Sequence, residues 1–271
     1  MKGRELKETL RSEKRAYGTL VVSPSAFWPQ VVTTLGLDFI FIDTEHIPLD
    51  RAQLGWMCQT YRALNLAPLV RIPSPDPYQA AMVLDGGAEG IVVPYVESVH
   101  QVKQLVGAVK YRPLKGERLQ KLLEYKNSVE PELSAYLQQH NAGNVLVVNI
   151  ESVPAMEALD EILSIEELDG VLVGPHDLSC SLGIPEQYDH PRFMAAVEEI
   201  IGKARESGKG RGMHMIYPGL ELEVAWIKKG ANLIIHSADA IAFQQAIQYE
   251  INHIKHLLGE EKTSSGENLN I

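Results

Sequence analysis

Cysteine is scarce in this chain of 271 residues, and its two copies, Cys58 and Cys180, are far apart in the sequence. This spacing does not indicate a disulfide framework or a zinc cluster, and it makes a reducing cytoplasm the expected compartment. The chain also lacks a run of basic residues and carries a net charge of −10. We therefore expect neither a nucleic acid nor an anionic membrane surface as its partner.

Long hydrophobic runs are missing too. No apolar stretch approaches the ~18 consecutive residues that a membrane-spanning helix needs, so we expect no insertion into a membrane. Residues 1–17 are charged and have a helical pattern, without the apolar core of a signal peptide. With 45% hydrophobic residues, the chain can nevertheless bury a sizeable core and fits one α/β domain.

Short apolar runs alternate with segments long enough for a helix. The apolar runs are residues 19–23, 39–43, 67–71, 90–93, 146–151, 170–174, 212–216 and 233–236. The helix-compatible segments are residues 27–35, 50–64, 77–86, 98–109, 154–168, 191–207, 219–229 and 240–258. Two insertions, residues 110–143 and 177–190, interrupt this alternation. Eight strand–helix units in a chain of this length predict a single-domain (β/α)8 TIM barrel.

We assign this barrel to residues 18–258, after an N-terminal helix in residues 1–17 and before a flexible tail in residues 259–271. A doubly wound open sheet is the structural alternative. It would have fewer units and a glycine-rich turn after the first strand. That turn here reads Ser23-Pro24-Ser25-Ala26 and contains no glycine, which favours the barrel.

Two of the apolar runs lead into carboxylates. Residues 145–150 are followed by Glu151, and residues 171–173 lead through Gly174-Pro175-His176 to Asp177. A helix-length segment separates the two runs, which is typical of parallel strands in one βαβ unit whose ends lie on the same side. Carboxylates that converge there repel each other, and the simplest compensation is a divalent cation, magnesium or manganese rather than zinc. In the alternative interpretation one carboxylate, such as Asp177, caps a helix while the other is solvated.

Polar residues also end the other predicted strands, where barrel enzymes place their chemistry. These residues are Asp43, Glu45, His46, Arg71, Asn149, His214 and His236. Each has a structural alternative, because Asp43 or Glu45 could cap the next helix and Arg71 could pair with a structural carboxylate. For His214 and His236 we favour the structural alternative, in which each is a core histidine with its hydrogen bonds satisfied.

Together these residue types can form and stabilise an enolate. A cation on Glu151 and Asp177 keeps open positions that the carboxylate and keto oxygens of a 2-oxo acid can fill. Arg71 can donate hydrogen bonds to the oxygen that becomes the enolate. His46 can move a proton near neutral pH, and Asp43 can orient its ring. The set predicts an enolate that attacks an aldehyde in the direction of synthesis, or that separates from the aldehyde when the carbon–carbon bond breaks.

The motifs that carry these residues resemble the HpcH/HpaI aldolase family of class II, metal-dependent pyruvate aldolases, over residues 18–246. They are Gly36-Leu37-Asp38, Ile42-Asp43-Thr44-Glu45-His46, Val70-Arg71 with Asp76-Pro77, Ile150-Glu151, and Gly174-Pro175-His176-Asp177-Leu178-Ser179 with Leu182-Gly183. The resemblance implies that Glu151 and Asp177 hold a magnesium or manganese ion, with cobalt as a third candidate. It implies that His46 and Asp43 handle the proton and that Arg71 stabilises the pyruvate enolate. It also implies a (β/α)8 barrel in a homo-oligomer, usually a hexamer of dimers that exchange their last helix.

The acceptor side departs from the family pattern. Asn149 stands where the family commonly has Gln before Ile-Glu, and His176 stands where Ala or Ser is usual before the metal-binding Asp. We assign both residues, with Arg71, to substrate binding. His176, together with His214 and His236, suggests a polar or anionic acceptor, such as an aldehyde derived from a sugar acid.

The leading interpretation is a lyase that reversibly cleaves a 4-hydroxy-2-oxo acid to pyruvate and an aldehyde. The alternative is a citrate-synthase-like or CoA-dependent transferase that forms a carbon–carbon bond, for which Arg112, Lys115 and Arg118 offer a small basic loop. A non-catalytic scaffold is a third interpretation, but buried charges are costly to keep without a use. Residues 240–258 have apolar positions beyond one narrow stripe, which leaves surface for a partner subunit.

Overall fold

The computed structural model describes residues 1–125, 128–216 and 219–260, and within them eight parallel strands close into a barrel in chain order. The strands are β1 (Ala16–Leu20), β2 (Phe39–Asp43), β3 (Ala67–Arg71), β4 (Gly90–Val93), β5 (Val145–Ile150), β6 (Gly170–Val173), β7 (Gly210–Met215) and β8 (Leu233–Ala238). Strand β8 pairs with β1 and closes the barrel. This arrangement confirms the predicted (β/α)8 fold.

The first helix precedes β1, and the later helices lie on the outside of the barrel. The helices are α1 (Gly3–Leu10), α2 (Trp28–Val32), α3 (Arg51–Ala63), α4 (Pro77–Asp85), α5 (Val99–Lys110), α6 (Gly116–Glu124), α7 (Pro131–His140), α8 (Val153–Glu157), α9 (Leu159–Leu163), α10 (Pro175–Ser181), α11 (Pro191–Glu206), α12 (Leu220–Lys229) and α13 (Asp239–Leu257). Asp50, Asp76 and Ser98 cap three of them, because each side chain accepts a hydrogen bond from a main-chain N–H of the first turn. Among the described helices, none is long and apolar enough to cross a membrane.

Side chains of each strand alternate between the barrel interior and the layer under the helices. In β2, Phe41 belongs to the apolar cluster inside the barrel, whereas Ile42 belongs to the cluster packed against the helices. Asp43 is the next inward position. Strand β3 repeats the pattern, with Leu69 inside and Arg71 two residues later. The alternation thus brings a carboxylate and a guanidinium to the same end of the barrel.

The N-terminal helix α1 closes the opposite end. Leu6 and Leu10 of α1 are fully buried and join the cluster inside the barrel. Asp169, just before β6, is also fully buried and accepts hydrogen bonds from Arg11 and from Lys110. Helix α1 therefore packs as the floor of the barrel.

The first strand lies earlier in the chain than predicted. It spans Ala16–Leu20 instead of residues 19–23, and the prediction was therefore wrong for residues 21–23. The main-chain N–H groups of Val22 and Ser23 donate to the carboxylate of Asp239, each at 3.0 Å, rather than to a neighbouring strand. The chain leaves the sheet at this point although valine favours strands, because a side chain distant in sequence takes the place of a strand partner.

The other predicted strands agree better. Residues 39–43, 67–71 and 90–93 are confirmed with the same bounds, and the remaining four strands differ by one or two residues at their ends. The predicted helix in residues 154–168 is two short helices, α8 and α9, which meet at Ala158. The first insertion contains α6 and α7, which the sequence did not predict. Most of the predicted tail, residues 261–271, lies outside the described residues.

Candidate active site

The candidate active site lies at the mouth of the barrel, beyond the C-terminal ends of β2 to β6. Asp43 and Arg71 are opposite each other in the register of β2 and β3. Arg71 Nε donates to Asp43 Oδ1 at 2.9 Å, and Arg71 Nη2 donates to Asp43 Oδ2 at 2.5 Å. This two-point contact fixes the plane of the guanidinium at the mouth.

His46 lies beside this ion pair, with half of its side chain exposed. Its Nδ1 is 3.1 Å from Asp43 Oδ2 and 2.8 Å from Arg71 Nη2. Glu45, in the same loop, places its Oε2 3.1 Å from Arg71 Nε. Among the described residues these contacts engage Nδ1 of His46, and they leave Nε2 as the nitrogen that can exchange a proton with a substrate.

The ion pair is charged at neutral pH. Burial alone would raise the pKa of Asp43, but the hydrogen bond and positive charge of Arg71 outweigh it and hold the pKa below its ordinary value. Burial also works against the charge of Arg71, yet Asp43, Glu45 and Glu151 raise the pKa of this guanidinium. Arg71 is therefore a fixed cation, suited to an oxygen on which negative charge develops.

Glu151 directly follows β5 and is only 6% exposed. Its Oε1 accepts a hydrogen bond from the main-chain N–H of Tyr95 at 2.6 Å, and its Oε2 accepts one from Asn149 Nδ2 at 2.8 Å. Burial raises the pKa of Glu151 against these two hydrogen bonds, and the negative charges of Asp177 and Glu45 add to the rise. A buried carboxylate that faces other carboxylates is a group that a cation stabilises.

Gly174, between β6 and α10, keeps the space between Glu151 and Asp177 clear. A β-carbon at this position would lie 2.7 Å from Glu151 Oε2 and 3.6 Å from Asp177 Oδ2. Both carboxylates therefore reach the same small volume. Helix α10 begins at Pro175 with Gly174 as its N-cap, so the alternative in which Asp177 caps the helix is wrong; Asp177 lies exposed in the first turn.

These residues fit a hard divalent cation, because one buried and one exposed carboxylate share a volume that carries unbalanced negative charge. A second set of ligand-type atoms exists on Asp43, Glu45 and His46, where one atom from each lies within 4.8 Å of the others. Arg71 already sets its guanidinium against both of those carboxylates. Its positive charge opposes a cation there, so Glu151 and Asp177 are the better candidates for metal ligands.

His176 is exposed on α10 next to this pair. Its Nδ1 lies 3.7 Å from Glu186 Oε1, and its Nε2 lies 4.0 Å from Cys180 Sγ. Asn149, in contrast, is fully buried, and its Oδ1 has no hydrogen-bond partner among the described residues. The roles of Asn149 and His176 in substrate binding stay predictions, with Asn149 placed to act through Glu151.

His214 and His236 make contacts of a structural kind. The ring of His214 packs edge-on against Phe41, with centroids 5.4 Å apart, and its Nε2 lies 3.2 Å from the carbonyl oxygen of Ser237. Burial lowers the pKa of His214 to about 4. His236 lies outside the barrel wall, where its Nδ1 is 2.8 Å from Glu223 Oε2 of α12. The contacts of His214 agree with the core role predicted for it, whereas the core role predicted for His236 was wrong, because this side chain is half-exposed on the outer face of β8.

Two residues at the mouth had no assigned role in the sequence analysis. Glu45 contacts Arg71 and His46, whereas the sequence placed it among the polar strand-end residues, with a helix cap as the alternative, and gave it no role in the chemistry. Tyr95, two residues after β4, donates its main-chain N–H to Glu151 Oε1, and the nearby carboxylate of Glu45 raises the pKa of its phenol to about 12. The rule that barrel chemistry follows strand ends would have indicated Tyr95, but an aromatic residue in a loop is not by itself a catalytic signal.

Comparison with known proteins places the chain in a family. The sequence profile of the HpcH/HpaI aldolase/citrate lyase family matches residues 21–246. The 2-keto-3-deoxy-L-rhamnonate aldolase of Escherichia coli strain K12 is 31% identical over 250 residues, which cover 92% of this chain and 92% of that protein. The enzyme of the same name from Salmonella gallinarum matches with the same identity and coverage.

Solved structures agree with the sequence matches. An HpcH/HpaI aldolase from Desulfitobacterium hafniense DCB-2 superposes with a TM-score of 0.80 at 27% identity, covering 95% of this chain and 99% of that one. The citrate synthase SbnG superposes with a TM-score of 0.79 at 26% identity, covering 94% and 99%. The chain therefore belongs to the HpcH/HpaI aldolase/citrate lyase family, and its chemistry is that of an aldolase.

Proposed function

We propose that this aldolase cleaves a 4-hydroxy-2-oxo acid of the 2-keto-3-deoxy sugar-acid class to pyruvate and an aldehyde, with magnesium or manganese as its cofactor. The observation that carries the proposal is the arrangement at the barrel mouth. A fixed guanidinium and a half-exposed imidazole lie at the ends of β2 and β3, and two carboxylates lie after β5 and β6. The relatives named for 2-keto-3-deoxy-L-rhamnonate support the substrate class, since that acid carries a 2-keto group and a 4-hydroxyl group.

Glu151 and Asp177 are the residues that would hold the metal. When bound, a divalent cation supplies Lewis-acid polarisation of the keto group. Asn149 Nδ2 and the N–H of Tyr95 each fix one oxygen of Glu151, so the carboxylate has little freedom to turn. Such support from neighbouring groups orients metal ligands in proteins generally.

The proton and electron movements follow from the positions of His46 and Arg71. His46, oriented by Asp43, takes the proton of the substrate's 4-hydroxyl group as the bond between C3 and C4 breaks. The electron pair of that bond passes to C3 and the keto group, so negative charge collects on the C2 oxygen, where Arg71 can donate hydrogen bonds. The aldehyde leaves, and a proton returned to C3 gives the methyl group of pyruvate.

Release of pyruvate tests the proposal directly. The chain, supplied with Mg²⁺ or Mn²⁺, is incubated with 2-keto-3-deoxy-L-rhamnonate and with related acids, and pyruvate is measured with lactate dehydrogenase and NADH. We expect release with at least one acid, and a loss of about 10²–10³-fold in kcat for Arg71→Ala, as for other donors to a developing oxyanion. Glu132→Gln, an exposed change on α7, serves as the control that should match the unaltered chain. Absence of pyruvate with every acid and both metals would contradict the proposal.

A citrate-synthase-like reaction is the second candidate, favoured by the similarity to SbnG. The structure gives little support to the basic loop as a CoA-binding site, because two of its charges are already paired. Arg112 pairs with Asp85, and Arg118 pairs with Glu130. Citrate formed from oxaloacetate and acetyl-CoA, without pyruvate release from any keto acid, would favour this candidate over the aldolase.

We also infer a homo-oligomer, a hexamer by resemblance, that acts in the cytoplasm. Helix α13 exposes apolar side chains that a partner subunit would cover, namely Phe243, Ile247, Ile251, Ile254 and Leu257. Both cysteines are free thiols, which is consistent with a reducing compartment. In analytical ultracentrifugation we expect the chain to sediment as an oligomer and Ile247→Glu to sediment as a monomer. Sedimentation of the unaltered chain as a monomer would contradict the oligomer.

A further inference from the structure

Two loops at the barrel mouth are joined by a pair of hydrogen bonds that run in opposite directions. Strands β4 and β5 are neighbours in the sheet, so the residues that follow them leave it side by side. The main-chain N–H of Tyr95, after β4, donates to Glu151 Oε1 at 2.6 Å. The hydroxyl of Ser152, after β5, donates to Glu97 Oε1 at 2.6 Å. Each loop thus donates one hydrogen bond to the other and accepts one in return.

The contact between Tyr95 and Glu151 depends on an unusual backbone conformation. Tyr95 has a φ of 56°, in the left-handed region that residues other than glycine seldom adopt. Such a conformation persists where neighbouring groups hold the backbone in place. Gln101 of α5 gives part of this support, because its Oε1 accepts from the N–H of Glu97 at 2.9 Å and its Nε2 lies 3.5 Å from the carbonyl oxygen of Tyr95. The loop of residues 94–98 is therefore held on one side by the helix that follows it.

Glu97 gives the support on the other side. Its carboxylate belongs to the loop that carries Tyr95, whereas its partner Ser152 directly follows Glu151. A hydroxyl that donates to a carboxylate at this distance forms a charge-assisted hydrogen bond, which is stronger than one between neutral groups. Ser152 is itself fixed, since its Oγ accepts from the N–H of Ala155 as the N-cap of α8. The side chain of Glu97 is exposed, so a change there should leave the barrel folded.

We propose that Glu97 is a positioning residue, which links the loop of residues 94–98 to Ser152 and so keeps the N–H of Tyr95 on Glu151 Oε1. This inference rests on the proposed function for the metal that Glu151 would hold. With Oε1 held by Tyr95, Oε2 of the same carboxylate stays in the volume beside Gly174 that Asp177 also reaches. Without Glu97, the left-handed backbone loses one of its supports and Glu151 is free to turn away from this volume.

The first test follows the amide of Tyr95 by NMR without metal or substrate. Labelling with ¹⁵N-tyrosine gives one amide signal for each of the ten tyrosines, and the signal that is absent from Tyr95→Phe belongs to Tyr95. In Glu97→Ala we expect this signal to move to lower proton frequency, because a short hydrogen bond to a carboxylate shifts an amide proton to higher frequency. Glu97→Gln keeps an oxygen that accepts from Ser152 and should leave the signal near its original place. A Tyr95 signal that does not move in Glu97→Ala would overturn the proposal.

The second test measures the affinity for Mn²⁺ by titration calorimetry. Glu97→Ala should bind Mn²⁺ about 5–10-fold more weakly than the unaltered chain, as expected for the loss of one hydrogen bond in the support of a metal ligand. Glu97→Gln should stay within about twofold of the unaltered chain, because its amide oxygen replaces the carboxylate oxygen as acceptor. Glu132→Ala, an exposed change on α7, is the control and should bind like the unaltered chain. Equal affinities of Glu97→Ala and this control would contradict the positioning role.

Ser152→Ala removes the other half of the same hydrogen bond. It should weaken Mn²⁺ binding about as much as Glu97→Ala, and the double variant should lose no more than about twofold beyond either single change, because the two residues act as one unit. Losses that multiply in the double variant would contradict the proposal. If the unaltered chain bound no Mn²⁺ while the Tyr95 signal still moved in Glu97→Ala, the proposed function would be wrong about the metal, and Glu97 would remain a positioning residue for Glu151.

Discussion

A single carboxylate organises the proton-transfer side of the candidate site. Asp43 Oδ1 accepts from Arg71 Nε and from the main-chain N–H of Glu45, and its Oδ2 contacts both Arg71 Nη2 and His46 Nδ1. Each lone-pair direction is thereby used, which explains why a buried Asp43 stays ionised. Gly174 is the corresponding residue beside the candidate metal ligands. Because it has no side chain, it leaves room for the carboxylates of Glu151 and Asp177.

Replacement of Gly174 tests that role at the scale of one residue. The φ of Gly174 is −88° and its ψ is 96°, so alanine fits the backbone without strain. The added β-carbon would still lie 2.7 Å from Glu151 Oε2 and displace the carboxylate. We expect Gly174→Ala to weaken Mn²⁺ binding at least about 10-fold in titration calorimetry, with a fold that stays intact by circular dichroism.

Gly202→Ala is the matched control for this change. Gly202 lies in α11, and a β-carbon there would meet no atom within 4 Å. Alanine in a helix should raise stability slightly, by about 1 kcal/mol at most, and leave metal binding unaltered. Equal Mn²⁺ affinities in the two variants would show that Glu151 is not held in the space beside Gly174.

The sequence predicted most of this site from one rule. Asp43, Arg71 and Glu151 end apolar runs, and polar residues at strand ends of a barrel are brought together by the closure of the sheet. Tyr95 was missed because its contribution depends on a left-handed φ and on a main-chain N–H, neither of which a residue name reveals. His236 ends a predicted strand as well, but it faces α12, and only the register decides on which side of the wall a side chain lies.

At the scale of elements, a buried charge attaches α1, the floor of the barrel, to the strands above it. Asp169 is fully buried, and its carboxylate accepts hydrogen bonds from Leu146 N, Arg11 and Lys110. Burial lowers the pKa of Lys110 to about 8 in spite of this partner. The network joins α1 and α5 to strand β5 and to the start of β6.

Asp169→Asn should therefore destabilise the chain by about 3–5 kcal/mol, because it leaves a buried lysine without its counter-charge. Urea denaturation of the two forms at pH 7 measures the difference. Asp160→Asn is the control, since Asp160 is 75% exposed in its 3.1 Å pair with Lys203 and should cost less than about 1 kcal/mol. If the two variants lost the same stability, Asp169 would not be the link between α1 and the barrel.

The elements themselves differ in how well the sequence predicts them. Strands β2, β3 and β4 have the predicted bounds because an apolar run, buried on both faces, stops at a polar residue or a proline. The prediction placed β1 too late in the chain because the N–H groups of Val22 and Ser23 donate to Asp239, a residue distant in sequence, instead of to a neighbouring strand. Helices α6 and α7 were not predicted, because their segment contains charged residues and prolines and has few buried side chains to give a helical pattern.

At the scale of the whole molecule, His214 links folding to pH. Burial lowers its pKa from 6.5 to about 4, so the folded chain resists a proton that the unfolded chain takes up. The contribution of His214 to stability is complete above pH 6.5 and is lost as the pH falls toward 4. A shift of this size corresponds to about 2 kcal/mol between pH 7 and pH 5.

Urea denaturation of the chain and of His214→Gln at these two pH values checks the sign and the size. Glutamine retains an N–H that can donate to the Ser237 carbonyl oxygen and does not titrate. The unaltered chain should lose about 2 kcal/mol more than the variant between pH 7 and pH 5. Equal losses would mean that His214 is protonated in the folded state as easily as in the unfolded state.

The central claim is that this barrel mouth forms the enolate of pyruvate with a metal held by Glu151 and Asp177. The most direct measurement is proton–deuterium exchange of the pyruvate methyl group in heavy water, followed by NMR, because it requires no knowledge of the aldehyde. With Mg²⁺ or Mn²⁺ we expect exchange that chelator abolishes and that Glu151→Gln and His46→Ala each lower at least about 100-fold. Exchange that persists in chelator or in Glu151→Gln, or no exchange with either metal, would contradict the account.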